Sequence, residues 1–236
     1  MPQQRLNIFL LTALIALGLV LAGCGATPAV ATIPQIVIKA TDYAFDAPAQ
    51  VNAGLISVRL ENNGQELHHA QIARLQDGKT MADLQAALAQ GEQAAIALLE
   101  FVGGPSVLDP GKSQEVVLDL KAGNYVLLCF IASADGVPHL AKGMVKPIQV
   151  VAAGQSGAQA PRADASIILK DFGFEMPAGV KAGKQTWEIK NAGPQLHEMV
   201  IFKLAPGKTM DDVGAFFQSP AGPPPFEAVG GMQALS

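Results

Sequence analysis

The chain has 236 residues, enough for one large domain or two small ones. Half of it is apolar, 15% is charged and the formal net charge is −4 with no basic run, which excludes a disordered tail, a coiled coil and sequence-independent binding of nucleic acid. Two Cys exclude a disulfide scaffold and a four-Cys zinc site, and four His exclude a mechanism built on many imidazoles.

Arg5 precedes an uncharged run over Leu6 to Val20, and Leu21-Ala22-Gly23-Cys24 follows. Such a run is short for a membrane span and reads as a bacterial secretory signal over 1–23. Its last four residues resemble a lipobox. Cys24 is therefore expected to carry lipid, with 24–33 a tether and the protein anchored on the extracytoplasmic face of the cell membrane. Cys129 is then an unpaired thiol in an oxidising compartment, a hazard unless it is buried or ligated.

A first domain is expected over 34–151. Ile36 to Thr41 reads as a strand, and Ser57 to Glu61 alternates with Val58 and Leu60 on one face. Asn62-Asn63-Gly64 is a turn before a third strand, Ala70 to Leu75. Thr80-Met-Ala-Asp83 fits a capping box and opens one or two helices, broken at Gly91 and ended by Gly103-Gly104. This insert over about 80–102 is expected to cover a sheet edge or face. Val116 to Leu120 and Tyr125 to Phe130 follow as strands. Val145 to Val151 is the last, with Pro147 suggesting a sheet edge. Phe45, Tyr125 and Phe130 are expected in the core. Short strands at this spacing indicate a mainly β fold, an antiparallel sandwich or barrel.

Residues 152–163 are small, polar and Pro-containing, a linker. Beyond it the chain repeats itself. Between 36–84 and 165–213, 19 of 49 positions are identical without a gap, too many for chance. The matches include Asp42/Asp171, Asn62/Asn191, Gly64/Gly193 and His68/His197, and Lys79-Thr80-Met81 recurs as Lys208-Thr209-Met210. After a two-residue drift, Val102-Gly103-Gly104 matches Val229-Gly230-Gly231. A second, incomplete copy is thus expected over 164–236. A fragment of a longer chain is the favoured explanation, because a β-domain without its last strands exposes a core edge.

The chemistry sits in Gly123-Asn-Tyr125-Val-Leu-Leu-Cys129, then nine residues, then His139-Leu-Ala-Lys-Gly143-Met144. His68 lies upstream beside the Asn-Asn-Gly turn. One thiolate, two imidazoles and a thioether suit a copper ion that cycles between Cu(I) and Cu(II). The segments Gly123-x-Tyr125-x-x-x-Cys129, His139-x-x-x-Gly143-Met144 and Asn62-x-Gly64 before His68 resemble those of cupredoxins, in particular plastocyanin-like domains. The resemblance implies a Greek-key β-sandwich. It also implies a type 1 copper site in which Cys129, His68 and His139 are ligands and Met144 is axial. His69 is the alternative to His68. Two features depart from the family: the nine-residue stretch between Cys129 and His139, and the helical insert. An orienting partner for each imidazole is expected but not identified. The second copy keeps only His197 of the set. Met199, Met210 and Met232 are expected to be packing.

The function expected is electron transfer between redox partner proteins without bond chemistry. A copper-free binding module is one alternative, and part of a larger copper oxidase or nitrite reductase is another. The histidine count opposes the enzyme, since only His69 and His197 remain outside the first site.

Overall fold

In the computed structural model, residues 32–154, 157–219 and 222–236 are described. The segment expected to be a secretory signal, and Cys24, lie outside them. The first of the two segments that the sequence reads as repeats has two sheets. One has the order β2-β1-β4-β7, from β1 (Gln35–Thr41), β2 (Ala44–Asp46), β4 (Gly54–Asn62) and β7 (Ser113–Leu120). The other has the order β3-β9-β8-β5-β6, from β3 (Gln50–Asn52), β5 (Gln71–Leu75), β6 (Leu99–Phe101), β8 (Gly123–Leu128) and β9 (Val145–Val151).

The period-2 pattern aims the core. Ile38, Val58, Leu60, Val116 and Leu118 from the first sheet meet Ile72, Tyr125, Leu127, Ile148 and Val150 from the second. Strand β8 is buried on both faces, which is why it reads as an unbroken apolar run. Tyr125 and Leu127 face the sandwich, and Cys129 joins the same cluster. Val126 and Leu128 face outward, where the insert covers them. That insert is α1 (Met81–Leu88) and α2 (Glu92–Ile96), which bring Leu84, Ala87 and Ala95 against Ala73, Leu75 and Phe101. Thr80 and Asp83 form the expected capping box, and Gly91 separates the helices at φ 128°.

Three sequence expectations need correction. The sandwich is not purely antiparallel, because β1 pairs β4, and β3 pairs β9, in parallel. Strand β9 is not at the edge, because it lies between β3 and β8. Strand β3 reaches only Gln149 to Val151, however, so Pro147 occupies the part of β9 with no neighbour on that side. The Cys-bearing strand ends at Leu128, which leaves Phe130 partly buried beyond it rather than in the core.

The second repeat starts the same way. Strand β10 (Ala165–Lys170) pairs antiparallel with β11 (Gly173–Glu175) and parallel with β12 (Trp187–Asn191). The turns after β1 and β10 each hold an aromatic residue at positive φ, Tyr43 at 69° and Phe172 at 65°. Strand β13 (His197–Leu204), α3 (Met210–Gln218) with its capping box at Thr209 and Asp212, and β14 (Phe226–Leu235) follow. Among the described residues, β12 and β13 have no counterparts of β7 and β8 beside them. The effect on the core is direct. Phe45 is 7% exposed, and its counterpart Phe174 is 58% exposed. Met199 and Met232 pack as expected, whereas Met210 stands 69% exposed at the start of α3.

Strand β14 also runs antiparallel to the end of β6 and the residues after it. Val102 pairs with Leu235 and Pro105 with Met232. The amides of Gly103, Gln233 and Ser236 donate to the carbonyls of Ala234, Gly104 and Phe101 at 2.9–3.0 Å. The Gly pair of each repeat has a steric cause. A Cβ on Gly104 would lie 2.0 Å from the Ala70 carbonyl oxygen, and one on Gly231 would lie 2.1 Å from that of Met199.

Candidate metal centre

Three elements deliver the site. His68 precedes β5 and exchanges two backbone hydrogen bonds with Leu108. Cys129 follows β8. His139 opens a short 3-10 helix over His139–Lys142, which Gly143 ends at φ 107°. The long stretch between Cys129 and His139 folds on itself. Ala132 pairs with Pro138, and Ser133 and Gly136 close the turn between them. The His139 amide then donates to the Ile131 carbonyl and the Leu140 amide to that of Cys129. The extra residues form a small hairpin, and the second imidazole returns beside the thiol.

His68, Cys129 and His139 are all fully buried, and one ligand atom from each lies within 4.8 Å of the others. The two Nδ1 atoms are 3.1 Å apart, and Cys129 Sγ is 3.5 Å from His139 Nδ1 and 4.0 Å from His68 Nδ1. Met144 is fully buried in the same core cluster as Cys129, its amide bonded to the His139 carbonyl. His69 does not join the three. Its ring Nε2 instead accepts the Phe130 amide at 2.7 Å.

The orienting partners are Asp42 and Glu66, neither of which was assigned from sequence. His68 Nε2 lies 3.0 Å from Asp42 Oδ1, and His139 Nε2 lies 2.8 Å from Glu66 Oε2. A carboxylate only accepts, so each Nε2 carries the proton and each Nδ1 presents a lone pair inward. Asp42 also accepts the amides of Gln65 and Glu66, and Tyr43 donates its hydroxyl to Glu66. Burial works to raise the Asp42 carboxyl, but its bonds from His68 and the two amides outweigh this and hold it below the usual range. The bond from His139, then those from Ser133 and Tyr43, hold Glu66 low as well. Burial pulls the His68 imidazole down against the opposing pull of Asp42, which favours the neutral ring. One signal for Asp42 was present in the sequence: it recurs as Asp171 wherever His68 recurs as His197.

Burial pushes the Cys129 thiol up to about 11, although the amides of His69 and Ile131 donate toward its sulfur. Two lone pairs therefore face each other and a thiol in a dry pocket, with one S–H proton among three acceptors. A cation resolves that conflict. A metal about 2.0–2.1 Å from two nitrogens and about 2.3 Å from a sulfur would leave those atoms roughly 3–4 Å apart. The donor set fits such an ion.

No protein-family model matches the chain. No curated protein matches it either. Among solved structures it is similar to a dithionite-reduced auracyanin from Roseiflexus castenholzii, at 22% identity and a TM-score of 0.34, over 50% of this chain and 96% of that one. It is similar to a multicopper oxidase at 14% identity and a TM-score of 0.31, over 85% of this chain and 78% of that one. It is also similar to the copper nitrite reductase of Nitrosomonas europaea at 16% identity and a TM-score of 0.30, over 87% and 85%. The fold is thus a two-sheet β-sandwich with parallel β1–β4 pairing, and a His-Cys-His cluster stands at one end of β8.

Proposed function

We propose that the chain is a type 1 copper electron-transfer protein, with His68, Cys129 and His139 as equatorial ligands and Met144 as the axial one. The observation that carries this reading is the convergence of two carboxylate-oriented Nδ1 atoms on one buried thiol. Bound there, copper would supply a one-electron couple between Cu(I) and Cu(II). The chain's own part is to hold the donors still. Asp42 and Glu66 fix the rings, the His69 and Ile131 amides take up thiolate charge, and the sandwich excludes water. A site that moves little between the two oxidation states exchanges electrons quickly. Of the other two histidines, His69 is bonded to the Phe130 amide and His197 to Asp171. Lipid at Cys24 would hold the carrier at the outer face of the membrane, where it meets protein redox partners.

The test is addition of Cu(II) to the purified chain, followed by visible and EPR spectra. An intense thiolate-to-copper band with narrow copper hyperfine splitting is expected. Metal uptake without that band, or a Cys129→Ser chain that stays blue, overturns the type 1 assignment, and a chain that takes up no copper leaves a copper-free binding module as the better reading.

A further inference from the structure

His69 is held at three points around the sulfur. Its own amide donates toward Cys129 Sγ, its ring accepts the amide of Phe130, the residue after Cys129, and its ring also bonds the side chain of Gln233. Nε2 accepts the Phe130 amide, so the ring proton is on Nδ1 and is donated to the Gln233 amide oxygen. Gln233 belongs to β14 of the second repeat and is 2% exposed. Its backbone is fixed in turn, the Gln233 amide donating to Gly104 O at 2.9 Å. From the first repeat, Gln71 Nε2 donates to the neighbouring Ala234 carbonyl at 3.1 Å.

The His69 ring is buried, with the Phe130 ring edge-on at 6.1 Å. It lines a mostly apolar cavity of about 690 Å³ between the repeats, with Phe130 beside it and Glu198 and Phe202 across from it.

We propose that the second repeat sets the hydrogen bonding of the metal-binding thiolate, with Gln233 as the positioning residue that acts through His69. The inference rests on the reading of Cys129 as a copper ligand. Gln233 fixes the ring, the ring fixes the Phe130 amide, and the backbone on both sides of the sulfur then holds its N–H groups on the thiolate. An N–H bond to the sulfur stabilises the more electron-rich reduced site. Loosening it favours the oxidised form.

The experiment uses the full chain and Gln233→Met, which keeps the volume and removes the acceptor, with Ser236→Ala as a control. The control removes a different contact between the repeats, the bond that the Phe101 amide donates to Ser236 Oγ. On the metal-free chain, nitrogen NMR reads the His69 tautomer and hydrogen exchange reads the Phe130 amide. The expected result is an Nδ1–H ring and a protected Phe130 amide in the native chain, with that protection falling in Gln233→Met. On the copper-loaded chain, equilibration with a redox mediator should shift about three- to tenfold toward Cu(II) in Gln233→Met, the worth of one such hydrogen bond. Ser236→Ala should not shift. An Nε2–H ring in the native chain, an unmoved equilibrium in Gln233→Met, or equal shifts in both variants overturns the proposal. Should Gln233→Met fail to fold, the native tautomer still decides. A chain that takes up no copper overturns the underlying reading instead, and the metal-free measurements separate that failure from failure of the clasp.

Discussion

Asp42 Oδ1 lies 3.0 Å from His68 Nε2, and the same pair recurs in the second repeat as Asp171 and His197 at 2.7 Å. Gly64 allows the first pair to close, since a Cβ there would lie 2.4 Å from Asp42 Oδ1 and 2.6 Å from His68 Nε2. Gly193 stands in the same relation to the second pair.

Breaking the pair without touching a ligand should weaken metal binding. Asp42→Ala and Gly64→Ala are each expected to lower copper affinity by about 10- to 100-fold, the usual cost of losing an imidazole's carboxylate. A chelator competition titration measures this. The equivalent change at Asp171 should leave the first site's affinity unaltered.

The axial position controls potential more than colour. Met144→Leu should keep the intense visible band and raise the reduction potential, as read by spectroelectrochemistry.

The thiol makes the metal-free chain sensitive to alkali. Burial raises Cys129 from 9.0 to about 11 in the folded state. Below pH 9 the thiol is protonated in both folded and unfolded chains, and its contribution is fully present. Between pH 9 and 11 the unfolded chain ionises first, so stability falls, by about 3 kcal/mol once both have ionised. Urea unfolding of metal-free chain and Cys129→Ala across this window should show that extra loss only in the former. At neutral pH, copper uptake should release one proton from this thiol, measurable by calorimetry in buffers of different ionisation enthalpy.

The insert is expected to matter for stability, not for the metal. Leu84 is fully buried between α1 and the outer face of β5 and β8. Leu84→Ala should cost about 2–5 kcal/mol in chemical denaturation. The copper spectrum should be unchanged, because the site faces the other side of that sheet.

Local chemistry made much of this legible. Alternation at Val58 and Leu60 marked a half-buried strand, the run from Tyr125 to Cys129 marked a doubly buried one, and Thr80 with Asp83 marked a helix start. The spacing of Cys129, His139 and Met144, with His68 upstream, was enough to nominate the site. Partners set by the fold were not legible. Asp42 is 26 residues from His68 and meets it only when the β1–β2 turn comes against the Asn62–Gly64 turn. Glu66 reaches His139 only because the Ala132–Pro138 hairpin takes up the long loop. Pro147 suggested an edge because the shortness of β3 cannot be seen in β9. Gln233 is 164 residues from His69 (233 − 69) and meets it across the contact between the repeats.

That contact joins a segment to its own duplicate. Val102 pairs with Leu235, and the offset between matched glycine motifs is 229 − 102 = 127 residues, which makes Leu235 the counterpart of Leu108 and Val102 that of Val229. An antiparallel contact of this kind is self-complementary, the geometry of a closed two-fold dimer contained within one polypeptide. Each repeat's patch is already occupied by the other, so the contact cannot propagate from chain to chain. An excised first repeat would expose that patch and find its match in another excised copy.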